Sequence, residues 1–587
     1  MSLDVEAVAT KWQRYAEIPG TSRLRGLAET IAEHVQPGDL LYMGGTMARP
    51  NAAMFEIMRQ FQGKGPGFTL AAPAIANQHA PVLQSGIVKH VITSLHGTTF
   101  PTPGPHPIYD ALYRCGDITF ENWTLLTLVQ RLMAGGLGLP FVPTRSIEGS
   151  DMAADLARAG GYASVADPKT GEARPVVTAL RPDVTILHGL ASDEAGNVIV
   201  CPPYYDSNWA ALAADRAVIV TVEKIVSPET VRRYAHLVQI PAERVSAVCH
   251  VPFGSHPSAC PSSLVPEVAG YPDDYAFLNE LFVAGRDPEK LLAWSKDWIS
   301  DPKTHTGYLG KLGAERLHAL RGKTAEDGWR FDLAATPPSE SDKITSQERH
   351  LALATRVLLR RLRAGGVDNI LAGLGISSLA AWVAALRLRD EGIAIPLMVE
   401  AGMYGFVPSP ADPFLFNYRN MQGNCMLSDV LTILGGITAR PNNKTIGLLG
   451  AAEIDGMGNI NTTKLPNMLL TGSGGGNDIA SGAREVMVTV PHNPRRLVDK
   501  VHYVTSPGRA VKVIVTDCAV LERRNGRYEL TAVLDDGTGL QEDLIRVAVE
   551  NCGFSLAVAN DCILEPAPDL AEVEISRLLD PSGRFTG

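Results

Sequence analysis

The chain has 587 residues, a formal charge of −10 and an isoelectric point near 5.8. That length leaves room for several domains of about 100–200 residues each. The acidity argues against a nucleic-acid backbone as partner and leaves small anionic substrates open, since local positive sites can exist on an acidic protein.

No run of about 18 apolar residues occurs, so no membrane-spanning helix is expected. The opening Met-Ser-Leu-Asp-Val-Glu lacks the basic and apolar regions of a secretion signal. The eight cysteines (Cys115, Cys201, Cys249, Cys260, Cys425, Cys518, Cys552 and Cys562) form no CxxC pair and no Cys/His cluster with zinc spacing. They read as reduced thiols of a cytoplasmic protein, and no metal site is expected. Fifty-five glycines and 40 prolines suit an α/β enzyme with many tight strand–helix turns.

In chain order, the first predicted unit is a strand over Gly38–Met43 that runs into Gly44 and Gly45, followed by a helix over Asn51–Phe61. The glycines permit close backbone approach. Asn51 has two readings, an amide donor to a reacting oxygen or a helix N-cap. A strand near Val91 then ends in a loop dense in Pro, Gly and hydroxyls, carrying His96, Thr98, Thr99 and His106. Rigid polar loops at strand ends often shape substrate pockets. His96 reads equally as a general base or as a hydrogen-bonded loop histidine.

A repeat follows. An apolar strand leads into Asp193-x-x-Gly196-Asn197, and a second leads into Asp455-x-x-Gly458-Asn459. The strand-into-glycines device also recurs, at Val367–Gly375, followed by a helix over Ser377–Leu386. The chain therefore reads as two related α/β halves in tandem. Helices are predicted over Tyr275–Val283, Pro288–Trp298 and Leu309–Arg321. The stretch 331–345 lacks periodicity and is rich in Pro, Ser and charge, which marks the join, and one amphipathic helix spans Ser346–Ala364. The halves are thus 1–330 and 346–587.

The second half holds the most informative run, Ile-Pro-Leu-Met-Val-Glu400-Ala401-Gly402. A buried strand ending on a carboxylate and a glycine sits where open α/β sheets bind ligands. Such a Glu suits nucleophilic attack on a carbonyl, or a structural pair with a nearby arginine. Gly472-Ser473-Gly474-Gly475-Gly476-Asn477-Asp478 exposes several backbone amides before a helix. They suit an anion or an oxyanion, or a plain flexible turn. The Walker A pattern is absent, and the Rossmann fingerprint fits poorly.

Together these residues resemble the family I CoA-transferases, in the glutaconate CoA-transferase-like branch, with the α and β subunits fused. The first half carries Gly44-Gly45, Gly138 to Ser146, and Arg181-Pro182-Asp183 leading to Asp193–Asn197. The second carries Glu400-Ala401-Gly402, Asp455 to Asn461, the Gly472–Asp478 loop and Val501 to Gly508. The resemblance covers roughly residues 20–300 and 350–560.

It implies two tandem open α/β domains of the CoA-transferase type, with the active site between them. It implies CoA transfer from an acyl-CoA to a carboxylic acid, ping-pong through a glutamyl-CoA thioester on Glu400. Gly475, Gly476 and Asn51 would supply the oxyanion hole. Gly44, Gly45, Gly472, Gly474 and Asn477 would approach CoA, and His96, Thr98, Tyr404 and Arg419 would line the substrate pocket. The segment Phe406–Asn424, with Phe414 and Phe416, would line or cover that pocket. No permanent cofactor is implied; coenzyme A is substrate and covalent intermediate. A homodimer or higher homo-oligomer of fused chains is expected.

Two departures stand out. Ala401 replaces the Asn or Ser that many relatives carry after the nucleophile. The 96–109 loop is unusual for the branch, within which some relatives hydrolyse β-diketone rings using a carboxylate near this loop. Here no acid lies between Val91 and Ile108. Transfer is therefore the first expectation, hydrolysis the alternative with His96 as its base, and a non-catalytic acyl-CoA binding protein the third.

Overall fold

The computed structural model describes residues 4–17, 21–45, 47–325, 327–537 and 539–587. It contains two large twisted sheets, one in each half of the chain.

The first is built on seven parallel strands: β1 (Leu40–Met43), β2 (Phe68–Ile75), β3 (Val88–His96), β4 (Thr119–Asn122), β5 (Val184–Ser192), β6 (Ala217–Ile225) and β7 (Ala247–His250). Their order is β4-β3-β2-β1-β5-β6-β7. Helices cover the middle of the sheet, and all nine residues of its central strand β5 are buried, whereas the edge strand β4 is polar and partly exposed. Helix α1 (Asn51–Phe61) follows β1 within the predicted bounds, and α2 (Leu125–Gly136) follows β4.

The second half opens with α3 (Ser346–Ala364), also as predicted. Its parallel strands are β8 (Asn369–Ala372), β9 (Leu397–Val399), β10 (Thr445–Gly450), β11 (Glu485–Thr489) and β12 (Val511–Val515), in the order β9-β8-β10-β11-β12. In each sheet the order reverses direction beside its first strand, between β1 and β5 and between β8 and β10. Ligands of open α/β sheets bind at such switch points, outside the carboxyl ends.

The repeated turn is the same object twice. Asp193 Oδ1 accepts the amides of Gly196 and Asn197, both at 2.9 Å, and Asn197 Nδ2 donates to its Oδ2 at 2.8 Å. Asp455 Oδ1 accepts the amides of Met457 and Asn459 at 3.0 and 2.9 Å, and Asn459 Nδ2 donates to its Oδ2 at 3.1 Å.

Three predicted boundaries shift. The helix expected over Leu309–Arg321 is two helices, His305–Leu312 and Ala314–Gly322, separated at Gly313. The one expected over Pro288–Trp298 is α-helical to Ser295 and continues as a π-turn over Lys296–Ser300. The stretch 331–345 begins inside a helix, Trp329–Ala335, and is then tied down where Arg577 donates to the carbonyls of Ser339, Ser341 and Lys343.

The halves share a core. Met47, Leu125, Leu126, Val129 and Tyr205 of the first half are buried in the apolar cluster of the second. At about 1.5–3 kcal/mol for each large side chain taken from water, this packing holds the carboxyl ends of both sheets face to face.

Candidate active site

Strand β9 delivers Glu400 to the seam. The chain turns immediately after it: Gly402 donates its amide to Val399 at 3.1 Å and accepts from Ser428 at 2.7 Å. Gly402 has φ 121°, and a Cβ there would collide with the Ser428 carbonyl. Only glycine fits that turn, which is why the carboxylate is followed by this spacing.

Glu400 separates two hollows. On one side lies a cleft of about 1060 Å³, at the upper end of the usual size for small-molecule and cofactor sites. It runs over the carboxyl ends of β8, β10 and β11, from Gly373 and Leu374 past Gly450 to Arg495 and Arg496, and one wall is the Gly472–Gly476 loop. On the other side lies an inner chamber of about 80 Å³. Its apolar lining includes Leu95, Phe100, Leu278, Phe414 and Phe416, and its polar lining includes Arg49, Asn77, Asp273 and Tyr275. Glu400, Leu95, Leu374 and Gly474 face both hollows.

The residue keeps partial exposure toward these spaces, yet Glu400 Oε2 is buried and accepts no hydrogen bond. Burial raises its pKa to about 7, and the neighbouring Asp478 carboxylate adds to the rise. Asp478 is itself pushed up to about 6 by burial. A buried carboxylate oxygen left without a donor beside a cavity costs stability, and such groups cluster at functional sites.

The glycine loop is stitched to the first half. Gly474 donates to the Ser94 carbonyl at 2.8 Å, its own carbonyl accepts from Leu125 at 2.9 Å, and Thr471 accepts from His96 at 2.9 Å. Asp478 Oδ2 accepts the Leu126 amide at 3.0 Å. These bonds also decide which amides are free. Gly474 is committed to Ser94, and Gly476 donates to Ser473 at 2.9 Å, which corrects the oxyanion role expected of Gly476. The Gly475 amide has no acceptor among the described residues. A Cβ on Gly475 would lie 3.5 Å from Glu400 Cγ, so its backbone abuts the carboxylate side chain.

Of the expected site residues, Glu400, Gly472, Gly474, Gly475 and Gly476 come together. Others do not. Asn51 Nδ2 donates to the Ser255 carbonyl at 2.7 Å and to Ser258 Oγ at 3.2 Å, so its amide braces a loop instead of facing Glu400. Gly44 packs where a Cβ would strike Leu187, and the Gly45 amide donates to Asp206 at 3.0 Å; neither reaches the cleft. Asn477 is a cross-brace, accepting the Ile147 amide and donating to the Thr505 carbonyl, both at 2.8 Å.

His96 is fully buried, donates Nε2–H to Asn122 Oδ1 at 2.8 Å, and is held neutral by burial with a pKa of about 4. It lines neither hollow, so the general-base reading fails. Thr98 Oγ1 donates to carbonyls of its own loop, and it is Thr99 that lines the chamber. Tyr404 lies on the antiparallel strand Met403–Phe406, outside both hollows. Arg419 pairs with Asp332 in a separate depression. Phe414 and Phe416 line the chamber as expected.

Sequence reasoning passed over Arg49, Asn77, Asp273 and Tyr275. Arg49 stood in the Gly44–Asn51 loop already singled out. The other three carry no local signal; they meet only because the sheets face one another. One cluster brings metal-ligand donors together, with atoms of His188, Glu223 and Cys260 within 4.8 Å. Glu223 there already accepts from Tyr271, Phe253 and Gly254 and pairs with His188, so the oxygens are occupied as hydrogen-bond acceptors.

Comparison with known proteins gives the same outline. Residues 25–250 match the family model for coenzyme A transferase. The chain is 30% identical to one of the subunits of the glutaconate CoA-transferase of Acidaminococcus fermentans, over 51% of this chain and 95% of that polypeptide. The chain is 29% identical to one of the subunits of the 3-oxoadipate CoA-transferase of Pseudomonas knackmussii, over 39% of this chain and 92% of that polypeptide. In structure it is similar to an acyl-CoA transferase of Escherichia coli O157:H7, with a TM-score of 0.64 and 16% identity over 93% of this chain and 96% of that one; this likeness carries the fold alone. The chain belongs to the family I CoA-transferases and holds both subunit-like parts in one polypeptide. It is an enzyme of CoA transfer, with an α/β architecture in each half.

Proposed function

We propose that this enzyme moves CoA from an acyl-CoA to a carboxylic acid through a covalent thioester on Glu400. The observation that carries the reading is the unpaired, buried Oε2 of Glu400 at the junction of a cofactor-sized cleft and a small chamber. Arg495 and Arg496 on the cleft suit the phosphates of CoA, and the chamber suits the acyl group.

The carboxylate of Glu400 attacks the thioester carbonyl. The C–S bond breaks, leaving an acyl-glutamyl anhydride and CoA thiolate. The thiolate attacks the glutamyl carbonyl and expels the donor acid as carboxylate, leaving glutamyl-CoA. The acceptor carboxylate then attacks this thioester, and the same two steps run in reverse to release the new acyl-CoA. The Gly475 amide is the donor available for the oxyanion of these additions. Water is a competitor in every step, and the small, largely apolar chamber favours the anhydride over hydrolysis. The hydrolytic alternative loses its base with His96.

Intact-protein mass spectrometry tests this. Wild type incubated with acyl-CoA donors is expected to gain a CoA-sized adduct that Glu400→Gln lacks. Turnover by Glu400→Gln at the wild-type rate would refute it. We infer also that the working particle is a homodimer or larger, which light scattering on the purified chain checks.

A further inference from the structure

The back of the inner chamber is closed by a loop that belongs to neither sheet. Phe100 and Tyr275 line the chamber and stack on each other, with centroids 4.9 Å apart and planes 6° from parallel. Behind them sits Arg584, its guanidinium carbon 4.7 Å from both ring centroids. Its nitrogen also pairs with Asp412 at 3.5 Å, and Asp412 accepts the Tyr275 hydroxyl at 2.6 Å. Residues from widely separated parts of the sequence thus clamp one wall.

The clamp is built in. Buried Asp580 accepts the amides of Arg584, Phe585 and Thr586, at 2.8, 2.8 and 3.1 Å, which fixes the loop carrying Arg584. On the far side of the wall lies a second hollow of about 300 Å³, lined by Asp412, Arg419 and Arg584. Asp273 and Tyr275 face both this hollow and the chamber. This wall parts a space of about 80 Å³ from one several times larger.

We propose that Arg584 is a positioning residue that sets the length of acyl group the enzyme accepts, by holding Phe100 and Tyr275 across the end of the acyl chamber. The inference rests on the reading of that chamber as the acyl site. Cation–π contact and the ion pair both act on the wall and neither touches the reacting atoms, so the effect belongs in selectivity and KM instead of in the chemical step.

The test uses the full chain with acetyl-, butyryl-, hexanoyl- and octanoyl-CoA as donors, reading both transfer kinetics and the Glu400 adduct. Wild type is expected to favour the short donors. In Arg584→Ala the ratio of kcat/KM for octanoyl- to acetyl-CoA should rise about tenfold or more, mainly through KM. Arg584→Lys, which keeps a cation over the rings, should return most of the wild-type profile. If Arg584→Ala does not fold, Arg584→Met keeps the bulk of the stem and is read in its place. An unchanged ratio in a folded variant overturns the inference, as does a wild type that already takes octanoyl-CoA as readily as acetyl-CoA. Absence of any adduct on wild type across the series would instead take down the acyl-site reading, and this inference with it.

Discussion

Gly474 donates its amide to the carbonyl of Ser94 at 2.8 Å, so the glycine loop beside Glu400 is held by the opposite half of the chain. The loop cannot drift away from the carboxylate without breaking bonds to β3 and α2. Its neighbour Gly475, with an unengaged amide and a backbone against the Glu400 side chain, is therefore a fixed wall of the space beside Glu400.

Gly475→Ala should then injure catalysis without unfolding the protein. Gly475 has φ −82°, which any residue adopts, and the added methyl meets Glu400 at ordinary contact distance. We expect kcat/KM to fall by about tenfold or more with little change in melting temperature. Gly402→Ala is the contrast. Positive φ and the collision with Ser428 should cost about 3 kcal/mol or more, visible as a lower urea midpoint.

The pH profile follows from the raised pKa of Glu400. In the proposed mechanism the ionised form is the nucleophile, so kcat/KM should increase as pH rises through about 7 and level off above it. Asp478→Asn keeps an oxygen for the Leu126 amide but removes the neighbouring charge. Its profile should be displaced to lower pH, by up to about one unit. An unmoved limb would mean that the two carboxylates are not coupled.

The same shift has a consequence for stability. The folded pKa lies above that of an unfolded Glu, so the native state binds more protons between about 4.5 and 7 and loses stability as pH rises through that window. Glu400→Gln should therefore melt higher than wild type at pH 8 and match it only near pH 4, below the unfolded pKa. At about 1.4 kcal/mol per pKa unit the gain is at most about 3.5 kcal/mol, less because the group keeps some contact with the cavities. Calorimetry at the two pH values reads it directly.

Asn51 gives a prediction of a different kind. Removing its amide leaves the buried Ser255 carbonyl without that donor, so Asn51→Ala should cost about 1–3 kcal/mol of stability. Correctly folded Asn51→Ala enzyme at low temperature should retain its kcat within a few-fold, whereas an oxyanion donor would lose about a hundredfold or more.

The halves, several element bounds and the nucleophile candidate were legible in the sequence because each rests on local physics. Helices α1 and α3 follow from apolar periodicity and turn residues, the two Asp-x-x-Gly-Asn turns from side chains bonding their own backbone, and Glu400 from a β-rich run stopped by a charge and a glycine. The helix predicted across Gly313 failed for a local reason as well, since φ 83° there ends one helix and begins another.

What only the tertiary structure decided is who faces whom. Asn51, Asn477 and His96 have the chemistry of site residues, and each is taken up by a partner distant in sequence: the Ser255 carbonyl, the Thr505 carbonyl and the Asn122 side chain. Asn77, Asp273 and Tyr275 show nothing locally and meet at the chamber because two sheets present their carboxyl ends to one seam. A hydrogen bond satisfied far along the chain leaves no pattern within a window of neighbours. A carboxylate at the end of a buried strand does, because the strand itself announces where the chain goes into the core and where it comes out.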